Sequence, residues 1–130
     1  MTTLLLDTHV LHWFSAAPEH LSHTAAEALR RADELVVAPI TWYELAWLAQ
    51  RARIVVNGPV RGWLDHLSSL VRTTTITPAI ADRAAGLPRP FSSDPADRLI
   101  YATALEHGWR LVTKDRRLRD HPQPRPVTLW

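Results

Sequence analysis

The 130-residue chain contains no cysteine. That excludes disulfides, thiolate metal sites and a cysteine nucleophile, and it suits a cytoplasmic protein. Long hydrophobic runs are missing too. No apolar stretch approaches the roughly 20 residues needed to span a bilayer, so no membrane segment is expected. The amino terminus has no basic leader region and no signal cleavage site. There is no internal repeat, no low-complexity tract and no linker that would divide domains, so residues 1–130 read as one domain of ordinary size. Lysine is almost absent: Lys114 stands alone against fourteen arginines. Net charge is only +2. Arginine, however, favours two-point contact with phosphate, and Lys114, Arg116, Arg117, Arg119 and Arg125 crowd the carboxyl-terminal stretch. A solvated surface accounts for any single arginine, whereas the cluster suits contact with a polyanion.

What is present alternates. Short apolar or β-branched runs at 3–6, 35–38, 73–76, 111–113 and 127–129 read as strands. Between them, helical spacing appears at 9–15, 22–32, 41–52, 60–70, 77–85 and 94–107. Residues 54–56 form a short apolar segment before the break at Asn57-Gly58-Pro59. Ser22 is placed to cap its helix, as are Thr41, Thr77 and Asp94, the last two each followed by proline. Gly108 is placed to stop the longest helix. Alternation of this kind predicts an α/β fold, a parallel sheet with helices on both faces.

Four acidic residues fall where such a fold would gather them. Asp7 ends the first strand and Asp115 follows the fourth; Glu44 and Asp97 lie in the first turns of helices. In an open α/β sheet, strand carboxyl ends and helix amino ends share one edge. Four carboxylates there repel each other unless a cation sits among them. The constellation reads as an oxygen-only site for Mg²⁺, with Mn²⁺ as a substitute, serving phosphodiester chemistry. Each acid has a duller use. Asp7 can cap the next helix. Glu44 completes a formal capping box with Thr41. Asp94 is a good N-cap, which leaves Asp97 as the projecting ligand. Asp115 is embedded in charge. Arg98 is placed to pair with a neighbouring acid and orient it. His9 and His12 lack a third nitrogen ligand for a transition metal, so packing suits them better, with His9 at the mouth of the acidic cluster. Six tryptophans, four of them on expected helices, fill core by default and together suggest interface surface.

These residues carry a resemblance. Leu4-Leu5-Leu6-Asp7-Thr8-His9 resembles the opening motif of the PIN-domain ribonucleases, particularly the VapC-type toxins of VapBC toxin–antitoxin pairs. Thr41-Trp42-Tyr43-Glu44-Leu45 is similar to that family's second acidic motif. The stretch from Asp94 through Asp97-Arg98-Leu99-Ile100 to Ala104 resembles the third, and Leu111-Val112-Thr113-Lys114-Asp115 the fourth. The four motifs together span nearly the whole chain.

The resemblance implies a PIN-like three-layer α/β/α sandwich with a central parallel sheet of about five strands. It implies a Mg²⁺- or Mn²⁺-dependent endoribonuclease acting on structured RNA, with Asp7, Glu44, Asp97 and Asp115 as catalytic and metal-holding residues. Thr113 matches a supporting hydroxyl residue; Asp94 and Arg98 are the other supporting candidates. A cognate VapB-like antitoxin and a homodimer are the implied partners. Rival readings are a non-catalytic PIN-like RNA- or partner-binding module and a haloacid-dehalogenase-like phosphatase. The phosphatase would want an aspartate two residues after Asp7, and that position is His9. A receiver domain would need an aspartate after its middle strand, and residues 73–78 hold none.

Overall fold

A computed structural model describes residues 1–130. Five strands form one sheet: β1 (Thr3–Leu6), β2 (Glu34–Val37), β3 (Arg72–Thr73), β4 (Arg110–Val112) and β5 (Thr128–Leu129). Their spatial order is β3-β2-β1-β4-β5, and every neighbouring pair is parallel. The chain therefore builds outward from β1 in one direction, then returns to its other side with β4. That reversal makes the gap between β1 and β4 the topological switch point, where ligands bind beyond the strand carboxyl ends.

Seven helices cover the sheet: α1 (Thr8–Ala16), α2 (His23–Arg31), α3 (Ile40–Gln50), α4 (Val60–Ser68), α5 (Pro78–Ala85), α6 (Pro95–His107) and α7 (Arg116–Arg119). The inner ends of the three central strands are hydrophobic because both their faces are buried, whereas the edge strand β3, Arg72-Thr73, is exposed. Leu4, Leu6, Val37 and Val112 point to one face, where they pack with Val10, Leu11, Leu29, Leu45 and Leu67 of α1 to α4. Leu5, Val36 and Leu111 point to the other, against Ile100, Tyr101 and Ala104 of α6, Leu118 of α7 and Phe91. The strict alternation is the two-residue period of a strand, sorted between two cores. Helix α5 lies outside α6, joined to it through Ile80, Ala84 and Ala102. The three-layer α/β/α architecture expected from the sequence is present.

Several local expectations hold. Ser22 caps α2 through Ala25 N at 3.0 Å, Thr77 caps α5 through Ile80 N at 3.2 Å, and Asp94 caps α6 through Ala96 N at 2.8 Å. Gly108 ends α6 in the left-handed conformation, with φ of 70°, where a side chain would be strained.

Others need correction. Residues 73–76 do not all form strand. β3 lies at the sheet edge and pairs only with β2, which ends at Val37; beyond Thr74 N, bonded to Val37 O at 3.0 Å, it has no backbone left to pair with. Thr41 does not cap α3. That helix starts at Ile40 after Pro39, whose own backbone is helical at φ −57° and ψ −34°. Proline suits a helix start because its φ is preset and it has no N–H to satisfy. The short apolar segment at 54–56 stands as read, outside any helix or strand, with Ile54 turned into the first core. Helix α7 and a short 3₁₀ turn at Pro18–His20 were not expected at all.

Candidate active site

The carboxyl edge of the sheet opens into a cleft of about 420 Å³. Its walls include Asp7, Glu44, Asp94, Asp97 and Asp115, with Thr8, His9, Trp13, Lys114 and Arg117. The four acids picked out from the sequence therefore come to one place, although they lie up to 108 positions apart in the chain.

Asp7 sits at the floor, at the end of β1. Its backbone N–H continues the sheet by donating to Val112 O at 3.0 Å. One carboxylate oxygen accepts from Thr8 N at 2.8 Å, so Asp7 does cap α1. The other accepts from the Thr113 hydroxyl at 2.6 Å. Thr113 is fully buried, and its hydroxyl oxygen also accepts from Asp115 N at 3.0 Å. One threonine thus ties the end of β1 to the turn after β4, across the switch point. The sequence expectation that Thr113 supports the cluster acquires a geometry here. Burial of the carboxylate raises its pKa, opposed by the bonds from Thr113 and Thr8.

Glu44 does not fold back onto Thr41. The Thr41 N–H is already bonded to Ala38 O at 3.0 Å, so the capping box is not formed. Instead Glu44 accepts from the Thr8 hydroxyl at 2.5 Å, and Thr8 contacts the Thr41 hydroxyl at 3.2 Å. Thr8 and Thr41 are both buried and were not singled out from the sequence for this role. Desolvation, opposed by Thr8 and reinforced by Asp7, Asp94 and Asp97, pushes the Glu44 carboxyl up to about 7.

Asp97 is 8% exposed and projects from the first turn of α6. The Ser92 hydroxyl donates to it at 2.6 Å and also accepts from Asp94 N at 3.1 Å. Burial first, then the neighbouring carboxylates Asp94, Asp7 and Asp115, push Asp97 up to about 6, with the Ser92 bond opposing. Asp94 keeps its capping role and borders the cleft from an exposed position. Arg98 pairs with no acid, contrary to expectation. Its guanidinium donates to four carbonyls, those of Ser92, Ala84, Leu87 and Pro88, at 2.8 to 3.2 Å. It clamps residues 84–92 beside α6 and so holds Ser92 near Asp97. The carbonyls win because they lie at the end of α5 and in the segment after it, where each keeps acceptor capacity for a further donor.

Asp115 caps α7, accepting from Arg117 N at 2.9 Å. Its pKa is lowered, chiefly by the Arg117 side chain. The Arg117 guanidinium donates to both Asp115 oxygens, at 3.3 and 2.9 Å, and to Asp97 at 3.2 Å. Sequence reasoning placed Arg117 only in a basic cluster. The overlooked signal was Leu118, a lone apolar residue among charges and 1% exposed, which anchors α7 and aims Arg117 at the cleft. His9 lines the mouth, as expected, beside Trp13 at 5.7 Å between rings. His12 packs edge-on against Trp63 at 6.3 Å, a packing role.

The donors facing the cleft are mostly carboxylate and hydroxyl oxygens, and Glu44 and Asp97 are pushed up by burial first and by neighbouring carboxylates after it. Both features fit a hard divalent cation. The acids do not close into a ready-made cage of three or more ligand groups. A cation that retains several waters needs only one or two carboxylates.

The PIN domain family, as a profile, matches residues 4–123. The chain belongs to the PIN domain family. This PIN-domain protein is 62% identical over 130 residues to Ribonuclease VapC22 of Mycobacterium tuberculosis (strain ATCC 25618 / H37Rv), covering 100% of both chains. Its fold is similar to a toxin–antitoxin complex from Klebsiella pneumoniae, with TM-score 0.69 and 21% identity over 98% of this chain and 96% of that one. It is also similar to DNA-bound VapBC from Salmonella typhimurium, with TM-score 0.71 and 18% identity over 99% and 98%. At those identities the two structures speak for the PIN fold alone.

Proposed function

We propose that this PIN-domain protein, a single domain over residues 1–130, is a metal-dependent endoribonuclease and the toxin of a type II toxin–antitoxin pair. The observation that carries the chemistry is the meeting of Asp7, Glu44, Asp97 and Asp115 in one cleft at the switch point of the sheet. The full-length relative named as a VapC ribonuclease supports the substrate class and the toxin role.

Asp7, Glu44, Asp97 and Asp115 are the residues that would hold Mg²⁺, or Mn²⁺ in its place. Such an ion supplies a water of lowered pKa and compensates charge on the phosphodiester as it reacts. The chain's own residues do the positioning. Thr113 and the Thr8 N–H hold the two oxygens of Asp7 apart in fixed directions. The Thr8 hydroxyl orients Glu44, and Ser92 orients Asp97. Asp97 or Asp115 accepts the proton of the attacking water, which enters in line with the leaving oxygen of the RNA strand. Lys114 and Arg117 on the rim draw the RNA backbone to a cleft that would otherwise repel it.

An antitoxin of the VapB kind is the proposed protein partner, and a homodimer the proposed oligomer. Next to the acidic cleft lies a second cavity of about 360 Å³, lined by Ile40, Tyr43, Trp47 and Leu48 together with His9, Glu44 and Asp94. Tyr43 is 66% exposed and Trp47 38% exposed, so large aromatic surface awaits a partner segment. No helix is long and apolar enough to cross a membrane, and the cytoplasm, where RNA is plentiful, is the proposed site of action.

The test is RNA cleavage with Mg²⁺, with Mn²⁺ and with EDTA, run beside the Asp7→Asn variant. Cleavage that needs the ion and Asp7 is expected; full activity in EDTA would remove the metal mechanism. Expression of the chain alone should slow bacterial growth, and co-expression of the adjacent small gene should restore it.

A further inference from the structure

We infer that Arg117 is a mobile guanidinium that serves the cluster in two states: a counter-ion for Asp97 and Asp115 without a divalent cation, and a clamp for an RNA phosphate once the cation is present. The inference rests on the ribonuclease reading and gives Arg117 a second role within it, toward the acids themselves.

The geometry around Arg117 is plain. Arg117 belongs to the four-residue helix α7, whose buried anchor is Leu118. One guanidinium nitrogen, Nη2, donates to both Asp97 and Asp115, at 3.2 and 2.9 Å. Both partners are among the four acids of the cleft. The Arg117 side chain is nevertheless 62% exposed, whereas those of Asp97 and Asp115 are 12% and 25% exposed. The acids are therefore held in place and the arginine is not. Asp97 has Ser92, and Asp115 has the Thr113 hydroxyl on its backbone N–H. Nothing but the acids holds the guanidinium.

A divalent cation and a guanidinium compete for the same carboxylate oxygens, because both seek the charge and the lone pairs. A cation held by Asp97 and Asp115 would displace the guanidinium, which would keep its charge at the cleft. It has little distance to go. The backbone of α7 holds it on the cleft wall beside Lys114, where the RNA strand must lie for its phosphate to reach the acids. Arginine binds phosphate in the same two-point manner as carboxylate. The exchange of one anionic partner for another lets a cluster of four acids stay stable when empty and still accept a polyanion when loaded.

The experiment compares wild type, Arg117→Ala and Arg117→Lys, with Arg61→Ala on α4, paired to Asp65, as a charge control away from the cleft. Mn²⁺ binding is read by electron paramagnetic resonance without RNA, and cleavage is then measured with the ion saturating. Circular dichroism checks the fold of each variant. Arg117→Ala is expected to bind Mn²⁺ roughly tenfold more tightly, since a nearby positive charge is gone. It is expected to cleave RNA about 100-fold more slowly, as for loss of one donor to a reacting oxyanion. Arg117→Lys should regain most of the weaker metal binding but only part of the rate. Unchanged or weaker Mn²⁺ binding in Arg117→Ala would overturn the counter-ion role. Tighter binding with wild-type cleavage would overturn the phosphate role. If wild type cuts no RNA with any ion, the ribonuclease reading itself fails, while the Mn²⁺ comparison still decides the counter-ion role.

Discussion

Two helix starts carry a polar residue followed three positions later by an acid: Thr41 and Glu44 on α3, Asp94 and Asp97 on α6. At α6 the pattern behaves as local rules predict. Asp94 caps the helix, Pro95 takes its first position, and Asp97 is released to project into the cleft. At α3 the same spacing produces no box. Pro39 begins that helix, Thr41 is buried inside it, and Glu44 turns to a threonine 36 positions earlier in the chain. Both acids reach the cleft, one through a local cap and the other through a tertiary hydrogen bond. Equal spacing in sequence therefore does not mean an equal cause. A capping box forms only when the backbone N–H it needs is free, and at α3 Ala38 had already taken it.

The comparison is tested most severely through activity. Asp97→Asn and Glu44→Gln should each reduce RNA cleavage by at least about 100-fold, as should Asp7→Asn. The fold should survive in each, checked by circular dichroism and thermal melting. Near-wild-type cleavage in Glu44→Gln alone would split the two helices into one catalytic start and one structural start.

The next effect is on pH dependence. Glu44 sits at about 7 against an ordinary 4.5, and Asp97 at about 6 against 3.8. The folded protein holds these protons where the unfolded chain has released them. In cation-free buffer, stability linked to these groups is intact below about pH 4 and is lost as pH rises through 6 to 7. Melting temperature in EDTA should accordingly fall across that window, less steeply in Glu44→Gln and in Asp97→Asn. Because protons compete with the ion, Mn²⁺ affinity should rise over the same range. A pH-independent Mn²⁺ affinity between pH 5.5 and 7.5 would contradict the raised values.

Thr8→Val probes the tertiary route directly. It strips Glu44 of its only hydroxyl partner and should destabilise the fold by about 1–2 kcal/mol. A double-mutant cycle with Glu44→Gln should show coupling of roughly 0.5–3 kcal/mol; additive losses would show that Thr8 and Glu44 are not linked. The smallest effect belongs to the local route. Asp94→Ala should cost about 1 kcal/mol of stability, as other lost N-caps do, and should spare most of the activity that Asp97→Ala abolishes. A stable but inactive Asp94→Ala beside an active Asp97→Ala would reverse their roles.

Much of this molecule was legible in its residues. Five short runs of aliphatic and β-branched residues announced five strands, and their separation by helical stretches required a parallel sheet. Cap-and-proline pairs located α5 and α6, and Gly108 located the end of α6. The four acids were recognisable because each follows a strand or opens a helix, positions that converge in any sheet of this class. These signals are local. They depend on backbone preferences and on a periodicity that a few neighbouring residues already express.

Tertiary structure decided the partners. No spacing rule joins Thr8 to Glu44 or Thr113 to Asp7, residues 36 and 106 positions apart. Arg98 was drawn away from the acids by four carbonyls at the end of α5 and in the segment after it. Arg117 was brought to them because Leu118 found the core. The short β3 ends where β2 stops offering backbone, not where its own β-branched residues end. In each case several geometries suit the residue about equally well in isolation. The choice falls to whichever donor or acceptor the packed layers leave unsatisfied within reach, because a buried polar group without a partner costs more than any local preference supplies.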